Sequence, residues 1–197
     1  GLFRASLALA FAAAVAGPAR AQKITEVVFD HAGSPDTHEY VEVYARPGAP
    51  LAAYTLVELD GAAGGDPGKV LHVFTPTTAN DAGFWTTGYL TSTLERPTFT
   101  MLLVSGFTGT VGQDLDAGDD GVLDSAPWTS VLDGVAFSDG AAGARTYATP
   151  VLGPGFDGDA AAPYSNWVGF EGQKAVEQYV SDTNRADLDD IMISLYV

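Results

Sequence analysis

The sequence predicts an all-β protein, and three observations carry that expectation. Its 23 glycines and 11 prolines break the 197-residue chain at short intervals. The runs between them are short and rich in β-branched and aromatic residues, which is strand composition. The clearest run, Glu39-Tyr-Val-Glu-Val-Tyr44, alternates: Val41 and Val43 point one way, Tyr40, Glu42 and Tyr44 the other. That period of two marks a strand with one face buried.

The elements follow in order. Ile24 to Phe29 reads as a first strand, before a turn-rich stretch from His31 to Asp36. Glu39 to Tyr44 is the second, closed by the loop Arg46-Pro-Gly-Ala-Pro50. Tyr54 to Leu59 is the third, ended by Asp60-Gly61, and Val70 to Phe74 the fourth. Thr75 to Pro97 is polar and turn-rich, but its Phe84, Trp85, Tyr89 and Leu90 are suited to capping a core or lining a groove. Phe99 to Val104 is continuously apolar and reads as a buried central strand. Val131 to Phe137 is the next strand. In the tail, Ala175, Val176, Tyr179 and Val180 have helical spacing within Gln173 to Val180. Asn184 is placed to cap a short turn, and Ile191 to Val197 is strand-like. No internal repeat is visible.

Residues 1–21 read as a secretory leader. Arg4 supplies the basic end, Leu7 to Ala16 the apolar stretch, and Ala19-Arg20-Ala21 a small-x-small cleavage site. The apolar stretch is too short to span a membrane. The expected location is therefore secreted, extracellular or at the cell surface. The chain has no cysteine, so neither disulfides nor thiolate chemistry are available to it. A formal net charge of -16 argues against nucleic acid and anionic membranes as partners.

One segment points to a cation. Five aspartates, Asp114, Asp116, Asp119, Asp120 and Asp124, crowd one loop with no Lys or Arg among them. From Asp116 the loop reads D-x-G-x-D-G-x-x-D. Counting Asp116 as position 1 of a calcium loop, Asp120 stands at 5, the turn glycine Gly121 at 6, the Val122 carbonyl at 7 and Asp124 at 9. Position 3 is Gly118 and position 12 is Pro127, neither of which offers a side-chain oxygen. Asp114, Asp119, Asp133 or water would complete the shell. Calcium (Ca2+) is thus the expected cofactor, in the weak extracellular class with a dissociation constant on the order of 0.1–1 mM. The alternative is a solvated acidic connection between two strands.

Three segments together resemble the lamin-tail domain family, in its bacterial secreted branch. They are Ile24-Thr-Glu-Val-Val-Phe-Asp30, Glu39-Tyr-Val-Glu-Val-Tyr44 and Ala49-Pro-Leu-Ala-Ala-Tyr-Thr-Leu-Val57. In that family a Glu-bearing strand leads to one of the form E-Y-V-E-L-Y-N, then a turn, a Leu and a third strand opening at Tyr or Trp. An acidic loop of the form D-x-N-x-D-G-x-x-D precedes a strand like Val131-Leu-Asp-Gly-Val-Ala-Phe137 in relatives of that branch. Here Ala45 stands where the second strand usually ends in Asn, and Gly118 replaces the loop Asn. The resemblance covers about residues 23–158. It implies an immunoglobulin-like antiparallel β-sandwich over 22–158, with 159–197 an unassigned extension. It also implies a non-catalytic role in adhesion, scaffolding or targeting. Members of that branch occur beside extracellular nuclease and phosphatase domains, so an accessory module of such an enzyme is the first alternative.

Other chemistry is thinly supported. Glu26 and Glu42 are placed to meet across neighbouring strands and could act as a glycosidase pair. The family pattern, which has Glu at both positions, favours a structural role. His31 and His38, with Asp30 and Asp36 beside them, match no compact metal motif, and His72 stands apart. No nucleophile elbow or phosphate-binding glycine loop is present. Trp85, Trp128 and Trp167 would suit a carbohydrate platform, but packing is the default for lone tryptophans.

Overall fold

The computed structural model describes residues 22–30, 37, 39–94, 98–152, 165–170, 174–180 and 191–196. The expected leader, His31, His38 and the expected turn after Asn184 lie outside the described residues. All regular elements among the described residues are strands: β1 (Lys23–Asp30), β2 (Tyr40–Tyr44), β3 (Tyr54–Asp60), β4 (Val70–Phe74), β5 (Phe84–Thr86) and β6 (Phe99–Ser105). They continue with β7 (Ser130–Phe137), β8 (Val151–Leu152), β9 (Ser165–Phe170), β10 (Lys174–Val180) and β11 (Ile191–Tyr196). One sheet runs β5-β2-β1-β11-β10-β9 and the other β4-β3-β6-β7-β8. Neighbours pair antiparallel, apart from the parallel pair β7 and β8.

The two sheets face one another across a shared core. Ile24, Val27, Val41 and Val43 enter it from the first sheet; Leu56, Phe99, Met101, Leu103, Val135 and Phe137 enter from the second. Phe29, Phe99 and Phe137 form its aromatic centre, with ring centroids 4.6–5.0 Å apart. The Ile24 N–H also donates to Asp133 Oδ2 at 2.9 Å, tying β1 of one sheet to β7 of the other. The alternation at β2 explains its placement: Val41 and Val43 are fully buried, while Tyr40, Glu42 and Tyr44 are half-buried on the outer face.

The second sheet is buried on both sides, which accounts for the unbroken apolar run of β6. Its outer face carries Val57, Leu59, Val70, Leu102 and Val104, packed with Leu115 from the long β6–β7 connection. Phe107, Leu123, Trp128, Tyr147 and Ala148 extend that cover. The close approach needs Gly134, where a Cβ would stand 2.8 Å from Leu102 Cδ2 and 3.0 Å from the Ala148 methyl.

The tail differs from expectation at one element. Helical spacing was expected over Gln173 to Val180, but Lys174–Val180 is strand β10, flanked by β9 and β11. The spacing of these four residues is helical, but ladder partners on both sides override it in favour of the strand. Residues Ile191–Tyr196 do form the expected strand, which pairs with β1 and sets Ser194 opposite Glu26. Three segments of the unassigned 159–197 stretch thereby hydrogen-bond into the first sheet.

Candidate functional site

The acidic loop is built around Asp116, which is completely buried. Its Oδ1 accepts the Asp120 N–H at 3.2 Å, and its Oδ2 accepts the Gly121 N–H and the Tyr147 hydroxyl, both at 2.8 Å. Burial alone would push the Asp116 pKa up. The Tyr147 hydroxyl, the two N–H groups and the Arg145 charge outweigh it and hold the carboxyl below the ordinary aspartate value. Tyr147 is in turn pushed well above the ordinary phenol range, by burial first and then by the Asp116 carboxylate.

The loop backbone closes tightly on this centre. Asp119 (φ 51°) and Gly121 (φ 88°) take left-handed conformations, the second the one a turn glycine exists to supply. The Leu115 N–H donates to Gly68 O, and Leu115 O accepts the Asp124 N–H at 2.7 Å. Gly68, with φ 89°, lies so close that a Cβ there would stand 2.5 Å from the Asp116 Cβ. Arg145 Nε donates to Asp119 O at 2.8 Å.

Each expected ligand can now be located. Asp114 Oδ1 accepts the Asp116 N–H, and Asp120 Oδ1 accepts the Val122 N–H, each at 2.9 Å. The side chains of Asp114, Asp119, Asp120, Val122 and Asp124 are exposed. Asp133, considered as a completing ligand, instead serves Ile24 in the seam between the sheets. Among the described residues, no three His, Asp or Glu side chains gather as a metal shell. Asp116 accordingly works as a backbone clamp, with both oxygens engaged by protein donors.

The same device recurs elsewhere. Asp60 accepts the Ala62 and Asp66 N–H groups, and Asp139 accepts the Thr98 hydroxyl and the Ala141 N–H. Those donors hold the Asp139 pKa low. In a chain without cysteine, aspartates fasten the long loops.

A second site lies on the outer face of the first sheet. Glu26 is directly opposite Glu42 in the β1–β2 ladder, and Glu42 is opposite Thr86 in β5. Tyr40, Glu42, Thr86, Gly88 and Tyr89 line an open cleft of about 270 Å³. The Tyr40 and Tyr89 rings meet edge to face, 6.1 Å between centroids and 72° between planes. Burial pushes the Glu42 pKa up; the Thr25 hydroxyl, donating at 2.9 Å, opposes the rise, and the Glu26 charge adds to it. Tyr40 is pushed far up, by burial and then by its hydrogen bond to Glu26 and the charges of both glutamates.

The cleft wall is fastened by side chains as well. Thr87 Oγ1 accepts the Val41 N–H, and the Leu90 N–H donates to Glu39 O. The buried Glu39 carboxylate accepts the N–H groups of Thr93 and Leu94. At the other end, Asn80 Oδ1 accepts the Ala82 and Phe84 N–H groups. Of the apolar and aromatic residues noted between Thr75 and Pro97, Trp85 and Leu90 pack on the core, Phe84 lies against Tyr44, and Tyr89 is 72% exposed. Trp85 and Trp128 pack on different apolar clusters, and the Trp167 side chain lies outside the described residues. His72 pairs at 2.8 Å with the buried Glu58 carboxylate.

Sequence reasoning missed Tyr147, Arg145 and Tyr40 as site residues, and offered Tyr89 only as one of several residues suited to a core or a groove. The first two reach Asp116 and Asp119 from more than 25 positions away, so no local spacing reveals them. The outward phase of Tyr40 beside Glu42 was readable, but its partner Tyr89 sits in a segment without periodicity.

Fold and sites together define a cysteine-free, all-β protein of two packed sheets, with a clamped acidic loop on one face and an acidic, tyrosine-lined cleft on the other. Compared with known proteins, the chain matches no family model, no curated protein and no solved structure.

Proposed function

We propose that this chain is a non-catalytic, immunoglobulin-like module of the lamin-tail type, acting outside the cell in adhesion, scaffolding or targeting. The observation that supports the reading is local. The three segments carrying the resemblance fall on β1, on β2 and on the turn and start of β3, with the two patterned glutamates paired across β1 and β2. A rigid pair of sheets with anchored loops suits a binding surface, and nucleic acid and anionic membranes are poor partners for so acidic a chain. The test is a panel of glycosidase, phosphatase and nuclease substrates, run on the full chain and on Glu42→Gln. The expected result is no turnover by either protein. Turnover that disappears in Glu42→Gln would overturn the reading in favour of a hydrolase using Glu26 and Glu42.

Calcium is proposed as an additional, weak stabiliser at Asp114, Asp119, Asp120, Asp124 and the Val122 carbonyl, with Asp116 behind them. Its support is the crowding of four exposed carboxylates, Asp114, Asp119, Asp120 and Asp124, into one loop, Asp116 itself being engaged by protein donors. The ion would relieve repulsion among exposed carboxylates that no lysine or arginine within the loop offsets. Asp116, Tyr147 and Arg145 hold the loop backbone by their own hydrogen bonds, and calcium would add to that hold.

A further inference from the structure

We propose that the cleft between Tyr40 and Tyr89, floored by Glu42, binds the basic end of a lysine or arginine side chain presented by a partner protein. The proposal rests on the reading of the chain as a binding module and names the chemistry of its ligand.

Charge is the first argument. Glu26 and Glu42 are directly opposed on neighbouring strands, where side chains stand about 5 Å apart and like charges destabilise each other. Among the described residues, the carboxylates act on one another and on the phenol: Glu26 on both Glu42 and Tyr40, and Glu42 on Tyr40. A cation entering the cleft would remove that repulsion, whereas a neutral ligand would leave it in place. The net charge of -16 adds a long-range field that draws basic partners and repels acidic ones.

Shape is the second argument. The cleft is lined by two tyrosine rings, a carboxylate, the Thr86 side chain and Gly88. Gly88 has φ 74° and no side chain to fill the opening. A long basic side chain has an apolar stem that can lie along tyrosine rings, while its charged head meets the carboxylate and the aromatic faces. The edge-to-face rings provide no flat platform of the kind on which a sugar ring stacks. The cleft also needs little ordering on binding, since Asn80 and Glu39 hold its wall at both ends.

The experiment titrates the full chain with N-acetyl-lysine-methylamide and N-acetyl-arginine-methylamide, following the Tyr40 and Tyr89 ring signals by NMR. The side-chain-acetylated lysine compound and cellobiose serve as neutral controls. The expected result is saturable shifts with the basic probes that weaken as salt is added, and none with the controls. Tyr89→Ala and Glu42→Gln should each weaken binding about fivefold, the factor for roughly 1 kcal/mol of cation–π or charge interaction. Tyr89 is exposed, so its removal keeps the test valid even if the Glu42 variant folds poorly. Equal binding of acetylated lysine or cellobiose would overturn the proposal, as would basic probes that shift signals elsewhere and bind Tyr89→Ala unchanged. Absence of any binding would overturn it too while leaving the module reading intact; hydrolysis of a glycoside in the cleft would overturn both.

Discussion

Truncation of Leu115 to alanine separates a lid from a solvated loop. Leu115 sits among five aspartates but is completely buried, packed on Val57, Leu59, Val70, Leu102 and Val104. Leu115→Ala removes three carbons, a transfer loss of about 2.4 kcal/mol at ~0.8 kcal/mol each. The cavity adds to this, because the Leu115 N–H donating to Gly68 O and the Asp124 N–H donating to Leu115 O hold the backbone and limit collapse. The expected destabilisation is about 3–4 kcal/mol, inside the usual Leu-to-Ala range. For a chain of this size that lowers Tm by about 6–16 °C. Thermal and urea unfolding of the full chain would measure it. Val122→Ala in the same loop, 66% exposed, is the control, with an expected change within about 0.5 kcal/mol. A loss below about 1 kcal/mol at Leu115 would refute the lid, since a side chain covering a sheet cannot be removed so cheaply.

Three further predictions concern charge. Asp116→Asn should destabilise most at neutral pH. Its carboxyl is held below its unfolded value near 3.9, so its contribution is present above that pH and is lost as pH falls through the lower folded value; urea unfolding of both proteins at neutral and acidic pH would show the gap closing. Glu42 has the opposite sign: its folded pKa is raised, so wild type should lose stability relative to Glu42→Gln as pH rises through the window above about 4.3, the unfolded glutamate value. A carboxyl NMR titration placing Glu42 at or below an ordinary glutamate would contradict this. Calcium, titrated calorimetrically into chelator-stripped protein, should give a saturable signal on the order of 0.1–1 mM that Asp120→Ala removes; silence up to several millimolar would reduce the loop to its Asp116 clamp.

The sequence by itself determined the strands whose side chains repeat with a clear period. Val41 and Val43 against Tyr40, Glu42 and Tyr44 fixed the inner and outer faces of β2, because a strand sends alternate side chains to opposite sides. The apolar run of β6 announced a strand covered on both faces. Glu26 and Glu42 were legible as a cross-strand pair because their strands are close in sequence. The tail was not legible, since β10 takes its conformation from β9 and β11 rather than from its own spacing. The acidic loop was legible as a cluster but not as a lid. Only the tertiary structure brought Tyr147 and Arg145 to Asp116 and Asp119, and turned Leu115 inward among exposed aspartates. Likewise, only the pairing of β2 with β5 set Thr86 opposite Glu42, and only the fastening of the following segment along β2 brought Tyr89 to Tyr40. Local periodicity reports which way a side chain faces. What it faces is chosen by chain closure over many residues, a contest of burial and hydrogen bonding that no short window of sequence contains.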